Sequence, residues 1–510
     1  MSLITCARSA LFSLSLLAVA TSAALAAPTQ TLRVAVGADP ATLDPQFNDL
    51  PTGDTVEALV YEGLFRLDDN NAIQKGLATD YHFSQDGKVL TVKIQTGHVF
   101  SNGDPLDAQA VVASFQRLLS EKNGSIYRGI YTALGSVKAI GNDTVEFDMT
   151  APNGHVLLLL ANESGSIVNV KAADKMGAEY GHKPIGSGPY LVDSFIGGES
   201  YRLVPNPKYQ GDRPAKLKSI DFTVVPEDAS RMALLETGDT DIVERVPPES
   251  VAQINALPNA KVITPPSMFS INMEIVMRGP LKDLRVRKAL NLAIDRPGII
   301  KGVLGGMAIP SVGMVGPGTQ DSLRKTFDPI AFDPAQAKKL LAEAGYGPGK
   351  LAITLTCPTG RYIKDAAVCQ AVAGSLQNIG VKATAHVVDR GTWTQIISLP
   401  PEKRPDNLAM IGRGTAGMDY TLYRLFHTGV SANTSGFSDP KVDALLDQGR
   451  ATTDPEKQKQ IYGEIQTAVW QQMPFIFLWY QNQALGVSDK VQGFKVRPDE
   501  TMDFDQVTLN

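Results

Sequence analysis

The chain has 510 residues, 43 % hydrophobic and 20 % charged, a globular composition long enough for two or three domains. A formal net charge of −5 makes it a poor nucleic-acid binder, and three cysteines are too few for a disulfide-built fold.

Residues 1–26 read as a secretory signal peptide. Arg8 precedes the apolar run ALFSLSLLAVATSAALA, which ends in the A-x-A pattern Ala24-Leu25-Ala26. A transmembrane anchor is the alternative, but the apolar core is short and a cleavage site follows it. Cys6 lies before the run, unlike the lipid-bearing cysteine of a lipoprotein. Cleavage after Ala26 leaves a chain of net charge about −6 with no stretch near 18 consecutive apolar residues. The expected location is the periplasm.

The mature start TLRVAVG alternates Leu32, Val34 and Val36, a strand broken by Gly37 and Asp39-Pro40. In TGDTVEALVYEGLFRLD, Val56, Leu59, Val60, Gly63 and Leu64 recur at helical spacing. Leu90, Val92 and Ile94 alternate as a strand, DPLDAQAVVASFQRLL is a helix with Asp107 as its cap, and NDTVEFDM is a strand. The stretch DLRVRKALNLAID, 283–295, concentrates Arg285, Arg287 and Lys288. Val286, Ala289, Leu290 and Ala293 form one apolar stripe there, so it reads as a capped helix with a solvated face, not a nucleic-acid patch. FDPAQAKKLLAEAGYGPG places Asp333 at a cap, Pro334 at the first helical position and Gly345 at the stop. Asp439-Pro440 and Asp454-Pro455 repeat the opening, and Pro474 precedes the buried strand FIFLWY. Strands and helices intermix throughout, which gives an α/β chain.

Catalytic signatures are missing. None of the six histidines has a second at metal-site spacing, and neither a G-x-S-x-G elbow nor a Rossmann fingerprint occurs. GYGPGK, 345–350, lacks phosphate-loop spacing and follows a helix, so it reads as a cap and turn; Asp239 and Asp241 sit in a turn. No cofactor, metal or enzymatic activity is expected. Cys357 and Cys369 would meet an oxidising compartment, where a disulfide and two buried thiols both remain open.

Taken in order, LDP at 43–45, VYEGLFRLD at 60–68, DGKVLTVKIQTGHVFSNGDPLDAQAVVASFQRL at 86–118, IGSGPYLV at 185–192, NPKYQGDRPAKLKSIDFTVV at 206–225, ETGDTDI at 236–242, LRVRKALNLAIDR at 284–296, FDPAQAKKLLAEAG at 332–345 and DPEKQKQIYGEIQTAVWQQMPFIFL near the C-terminus carry a resemblance. The chain resembles the dipeptide/oligopeptide-binding family of periplasmic solute-binding proteins of ABC importers, solute-binding family 5. The resemblance implies a two-lobed α/β periplasmic-binding-protein fold. Lobe I would be 27–268 plus 487–510 with a subdomain inserted near 75–180, and lobe II 269–486. The hinge would be two strands near Ser270–Asn272 and Ala484–Val487. It also implies a monomer that closes on a small-molecule or peptide ligand and docks on a membrane permease.

In peptide-binding relatives an acid after a G-W pair holds the ligand amine. Here Arg413 stands at the Trp position, Ala416 near the acid position, and Asp419 three residues on. Arg413 would favour an anionic group or make a surface ion pair. Arg361 matches a position that meets the ligand carboxylate in dipeptide-binding relatives, with Tyr362 beside it. Trp393 is a pocket wall or core. Phe269, Asn272, Asn433, Phe47 and Asn48 complete the candidates. A short carboxylated peptide is the expected solute, with a glutathione-like peptide, an opine, a sugar or a metal chelate as alternatives. An exported enzyme and a periplasmic chaperone or sensor are the competing classes.

Overall fold

The computed structural model describes residues 30–48, 50–69, 71–265, 267–317, 326–414, 418–430 and 432–510; the expected leader at 1–26 and Ala416 lie outside them. Two sheets organise the chain. The first runs Ala260–Ile263, Leu485–Ser488, Ile242–Val243, Thr31–Val36, Ser219–Val224, Ser200–Pro205, Tyr190–Ile196 in spatial order. The second runs Ala308–Pro310, Phe475–Gln481, Ser270–Ile275, Leu408–Arg413, Ala352–Pro358, Lys382–Val388. Each has its own apolar core, one around Leu32, Val34, Tyr61 and Phe222, the other around Met273, Leu290, Leu355 and Leu478. These are lobe I and lobe II.

A four-stranded antiparallel sheet over Ala78–Met149 builds the inserted subdomain, with a core that starts at Leu64 and ends at Ile167. The subdomain therefore begins earlier and ends earlier than 75–180. The helix Val170–Met176 belongs instead to lobe I, where Ala172 and Ala173 are buried.

The chain crosses between lobes at 264–269 and at 482–484. Ser270–Asn272 is thus already lobe II sheet, and Leu485–Val487 already lobe I sheet, which moves the second lobe boundary back from 486/487. The C-terminal turn ties both crossings together. Glu500 accepts from Ser267 Oγ at 3.0 Å and from Gln483 Nε2 at 2.8 Å, and Met268 N–H donates to the Pro498 carbonyl at 2.9 Å.

Local chemistry explains most elements. Asp107, Asp283, Asp333, Asp439 and Asp454 each accept a hydrogen bond from a backbone N–H in the first turn of the helix they cap. The first helix, Pro51–Val60, ends before Gly63 and Leu64, shorter than its periodicity predicts. Its last carbonyls are taken by IGSGPY: Gly188 N–H donates to the Val60 carbonyl at 2.8 Å, and a Cβ on Gly186 would stand 2.0 Å from the same oxygen. Arg287 does not join a solvated face. It is buried, with its guanidinium on the carbonyls of Leu281, Lys282 and Gln472. Asp241 is engaged by Arg33 at 2.8 Å.

Candidate functional site

The strands Ala352–Pro358, Lys382–Val388 and Leu408–Arg413 run parallel, and their C-terminal ends meet the start of Ser270–Ile275 beside the crossings. In open α/β sheets such strand ends carry the ligand contacts. The loop after the first of them is held at both ends, because Cys357 and Cys369 are joined by a disulfide from the strand end to the helix Asp365–Asn378. Between them Asp365 accepts from the N–H groups of Arg361 and Tyr362, at 2.9 and 3.1 Å. The Tyr362 hydroxyl accepts twice, from Arg361 Nε at 2.9 Å and from Gly412 N at 2.8 Å.

These bonds aim the Arg361 guanidinium over the Trp393 ring, 5.1 Å from its centroid, with the Tyr362 ring at 5.3 Å. Arg361 is exposed, and among the described residues no carboxylate pairs with it. Phe269 lies against Tyr362, ring centroids 6.1 Å apart. Gly412 fits between them: a Cβ there would come within 2.5 Å of Tyr362 and 2.6 Å of Phe269. The two residues after Tyr362 touch lobe I. Ile363 packs against the cluster of Met232, Val243 and Val246, and Lys364 meets Glu249 at 3.1 Å.

Arg413 ends its strand opposite Ser270, whose Oγ donates to the Arg413 carbonyl at 3.3 Å. Behind it lies a buried ion cluster. Arg404 forks onto Asp406 at 2.9 and 2.8 Å and donates to Glu274, which also accepts from Thr434. Burial raises the Glu274 pKa, against the pull of Arg404 and Arg413.

The structure thus gathers Phe269, Arg361, Tyr362, Trp393 and Arg413 at one rim and takes other candidates away from it. Trp393 is core on its inner side, with Nε1 donating to the Met410 carbonyl at 3.1 Å. Asn272 is wholly buried within its strand. Asn433 is spent inside its own turn, donating to the His427 and Phe437 carbonyls. Asn48 braces the turn ahead of the first helix, bonding Leu50 and the Asp54 side chain, and Phe47 lies under Arg117. Asp419 is not a free amine acceptor: Arg450 grips its carboxylate at 2.9 and 3.1 Å, and the Tyr462 hydroxyl donates to it at 2.8 Å. It lines a different cavity of about 540 Å³, between the inserted subdomain and lobe II. Sequence reasoning missed Asp365 and Gly412. The first was visible as an acid at the start of a helix after the arginine loop, and the second as the glycine just before Arg413, at the Gly of the G-W pair.

Two lobes joined by two crossings, with an arginine laid on an aromatic bed beside them and, among the described residues, no carboxylate paired with it, suit a protein that clasps a solute. The chain belongs to the bacterial extracellular solute-binding proteins of family 5. The model of that family, described as "Bacterial extracellular solute-binding proteins, family 5 Middle", matches residues 72–432. A curated relative, the glutathione-binding protein GsiB of Escherichia coli K12, is 29 % identical over 93 % of this chain and 94 % of its own length. Solved structures share the fold. HbpA2 of Haemophilus parasuis superposes with a TM-score of 0.85 at 22 % identity, over 94 % of this chain and 100 % of that one. DppA of Helicobacter pylori, in complex with the peptide STSA, has a TM-score of 0.76 at 22 % identity, over 94 % of this chain and 98 % of that one. As a family member the protein is a transport component rather than an enzyme. It binds a small solute outside the cytoplasm and delivers it to an ABC permease. Among the described residues no helix is long and apolar enough to cross a membrane.

Proposed function

We propose that the solute is a short peptide or peptide-like compound with free carboxylates, a γ-linked peptide of the glutathione kind first among them. Arg361 and Arg413 of lobe II would grip it as the lobes close. The observation that carries this reading is the Arg361 guanidinium, placed over Trp393 with no carboxylate on it among the described residues. A guanidinium so placed binds a carboxylate bidentately, and the aromatic bed fixes its plane. The glutathione-binding relative and the peptide-bound DppA support the solute class. In the same reading, residues 1–26 are cleaved after Ala26, the protein acts in the periplasm as a monomer, and its closed form docks on the permease.

Titration calorimetry with glutathione, and with short peptides in parallel, tests the assignment. Loss of a charge-assisted pair costs about 1.5–3 kcal/mol, so Arg361→Ala is expected to weaken binding by about 10- to 150-fold. Unchanged affinity in both Arg361→Ala and Arg413→Ala refutes the arginine grip. Binding of a neutral sugar, with none of glutathione or peptides, refutes the solute class.

A further inference from the structure

The inserted subdomain reaches lobe II through the segment Pro152–His155. Gly154 N–H donates to the Arg450 carbonyl at 3.2 Å. The approach leaves no room for a side chain, since a Cβ on Gly154 would stand 2.1 Å from the Thr452 carbonyl oxygen and 2.4 Å from Gln458 Nε2. Next to it the His155 ring meets Tyr462 edge-on, with centroids 4.8 Å apart. His155 Nε2 is shielded from solvent and, among the described residues, has no hydrogen-bond partner.

Charged and titratable groups face this ring from three lobe II helices. They are Asp419, Tyr423 and Arg424 on Met418–Phe426, Arg450 on Pro440–Ala451, and Tyr462 on Pro455–Gln472. Asp419 would attract an imidazolium, but its charge is already matched by Arg450, which repels one. Burial prevails, and the His155 pKa is lowered to about 4.

We propose that Gly154 and His155 are positioning residues for lobe closure: the lobes shut on a solute with the neutral His155 ring seated on Tyr462, and acid opposes closure. For its affinity measurements the proposal rests on the solute reading above; the contact itself does not depend on which solute is bound. In an open form the ring is in water with a pKa of about 6.5, and in the closed form it stays neutral to about 4. Lowering the pH from 7.5 to 5.0 then protonates the open form alone, and by linkage affinity falls by up to about 30-fold.

The test compares the wild type with His155→Phe, which keeps an edge-on ring and cannot titrate, and with Gly154→Val, which wedges the seam. Glutathione affinity is measured by calorimetry at pH 7.5 and 5.0. The radius of gyration of the solute-free proteins is measured by small-angle scattering at the same two values. The wild type is expected to lose affinity at pH 5.0, by about 30-fold where the solute-free protein is open at both pH values and by less, with an increase in radius of gyration, where it is partly closed at pH 7.5; His155→Phe is expected to show neither change. Gly154→Val is expected to bind more weakly at both pH values with its unfolding midpoint retained. A wild-type pH slope in His155→Phe, or wild-type affinity in Gly154→Val, overturns the proposal. If glutathione fails to bind the wild type at pH 7.5, the solute assignment falls. Scattering then decides closure by itself, and an equal pH response in wild type and His155→Phe overturns it.

Discussion

Replacing Arg404 by methionine is expected to destabilise lobe II by about 3–5 kcal/mol, the cost of stranding a buried charge. The structure sets the reason. Arg404 is almost fully buried and is the cation that balances Asp406 and Glu274, which are as deeply buried as it is. Methionine fills the aliphatic part of the space and removes the guanidinium that both carboxylates share, leaving Glu274 only the weaker pull of Arg413. Burial already raises the Glu274 pKa against the pull of Arg404, and without that guanidinium it rises further above its unfolded value. The deficit is therefore full near pH 7.5 and shrinks as pH falls toward the unfolded value of about 4. Trp393, Trp470 and Trp479, the three tryptophans of the chain, all lie in lobe II. Urea unfolding followed by tryptophan fluorescence consequently reports this lobe without interference from lobe I. A loss below 1 kcal/mol at pH 7.5, or a deficit that grows in acid, would refute the reasoning. The triple replacement Glu274→Leu, Arg404→Met, Asp406→Leu removes all three charges together and is expected to cost far less than the single change.

Gly412→Ala is expected to weaken glutathione binding at least about 10-fold in calorimetry and to cost about 1–3 kcal/mol of stability, because its Cβ must displace both Tyr362 and Phe269. Gly414→Ala is the control: its nearest side-chain atom is 3.5 Å away on Phe269, an ordinary contact, so affinity should hold. Glu62, beside His98 at 3.9 Å, has its pKa pushed up to about 7 by burial. Its ionisation opposes folding, with a penalty that grows from about pH 4.5 to 7 and reaches about 3 kcal/mol above that. Glu62→Gln should thus stabilise the protein in calorimetric melts at pH 8 and leave it unchanged near pH 4.5; an equal gain at both would refute the assignment.

What could be read in the sequence was what short-range chemistry decides. Five capping aspartates announced five helices because the cap and the N–H groups it receives lie within three residues of each other. The first helix was over-extended because its stop is remote: Gly186 and Gly188 cover its last turn from about 130 residues away. The second lobe boundary slipped for a related reason. FIFLWY and LGV are both apolar, and only their partners, Ser270–Ile275 for the first and Ala260–Ile263 for the second, assign them to different sheets.

The site divides along the same line. Arg361 and Tyr362 could be singled out because Arg361 matches a carboxylate-meeting position of dipeptide-binding relatives and both lie in a loop between a strand and a helix, whereas the sequence leaves Trp393 open between pocket wall and core. Asp419 and Asn433 looked equally available in sequence. A polar side chain is free for a ligand only if nothing in the folded protein has already claimed it, and the claimants differ in reach. Asn433 is consumed within six residues, whereas Asp419 is taken by Arg450, 31 residues on, and by Tyr462, 43 residues on. That pairing leaves no bare acid at the seam. The carboxylate neutralises Arg450 where the inserted subdomain lands.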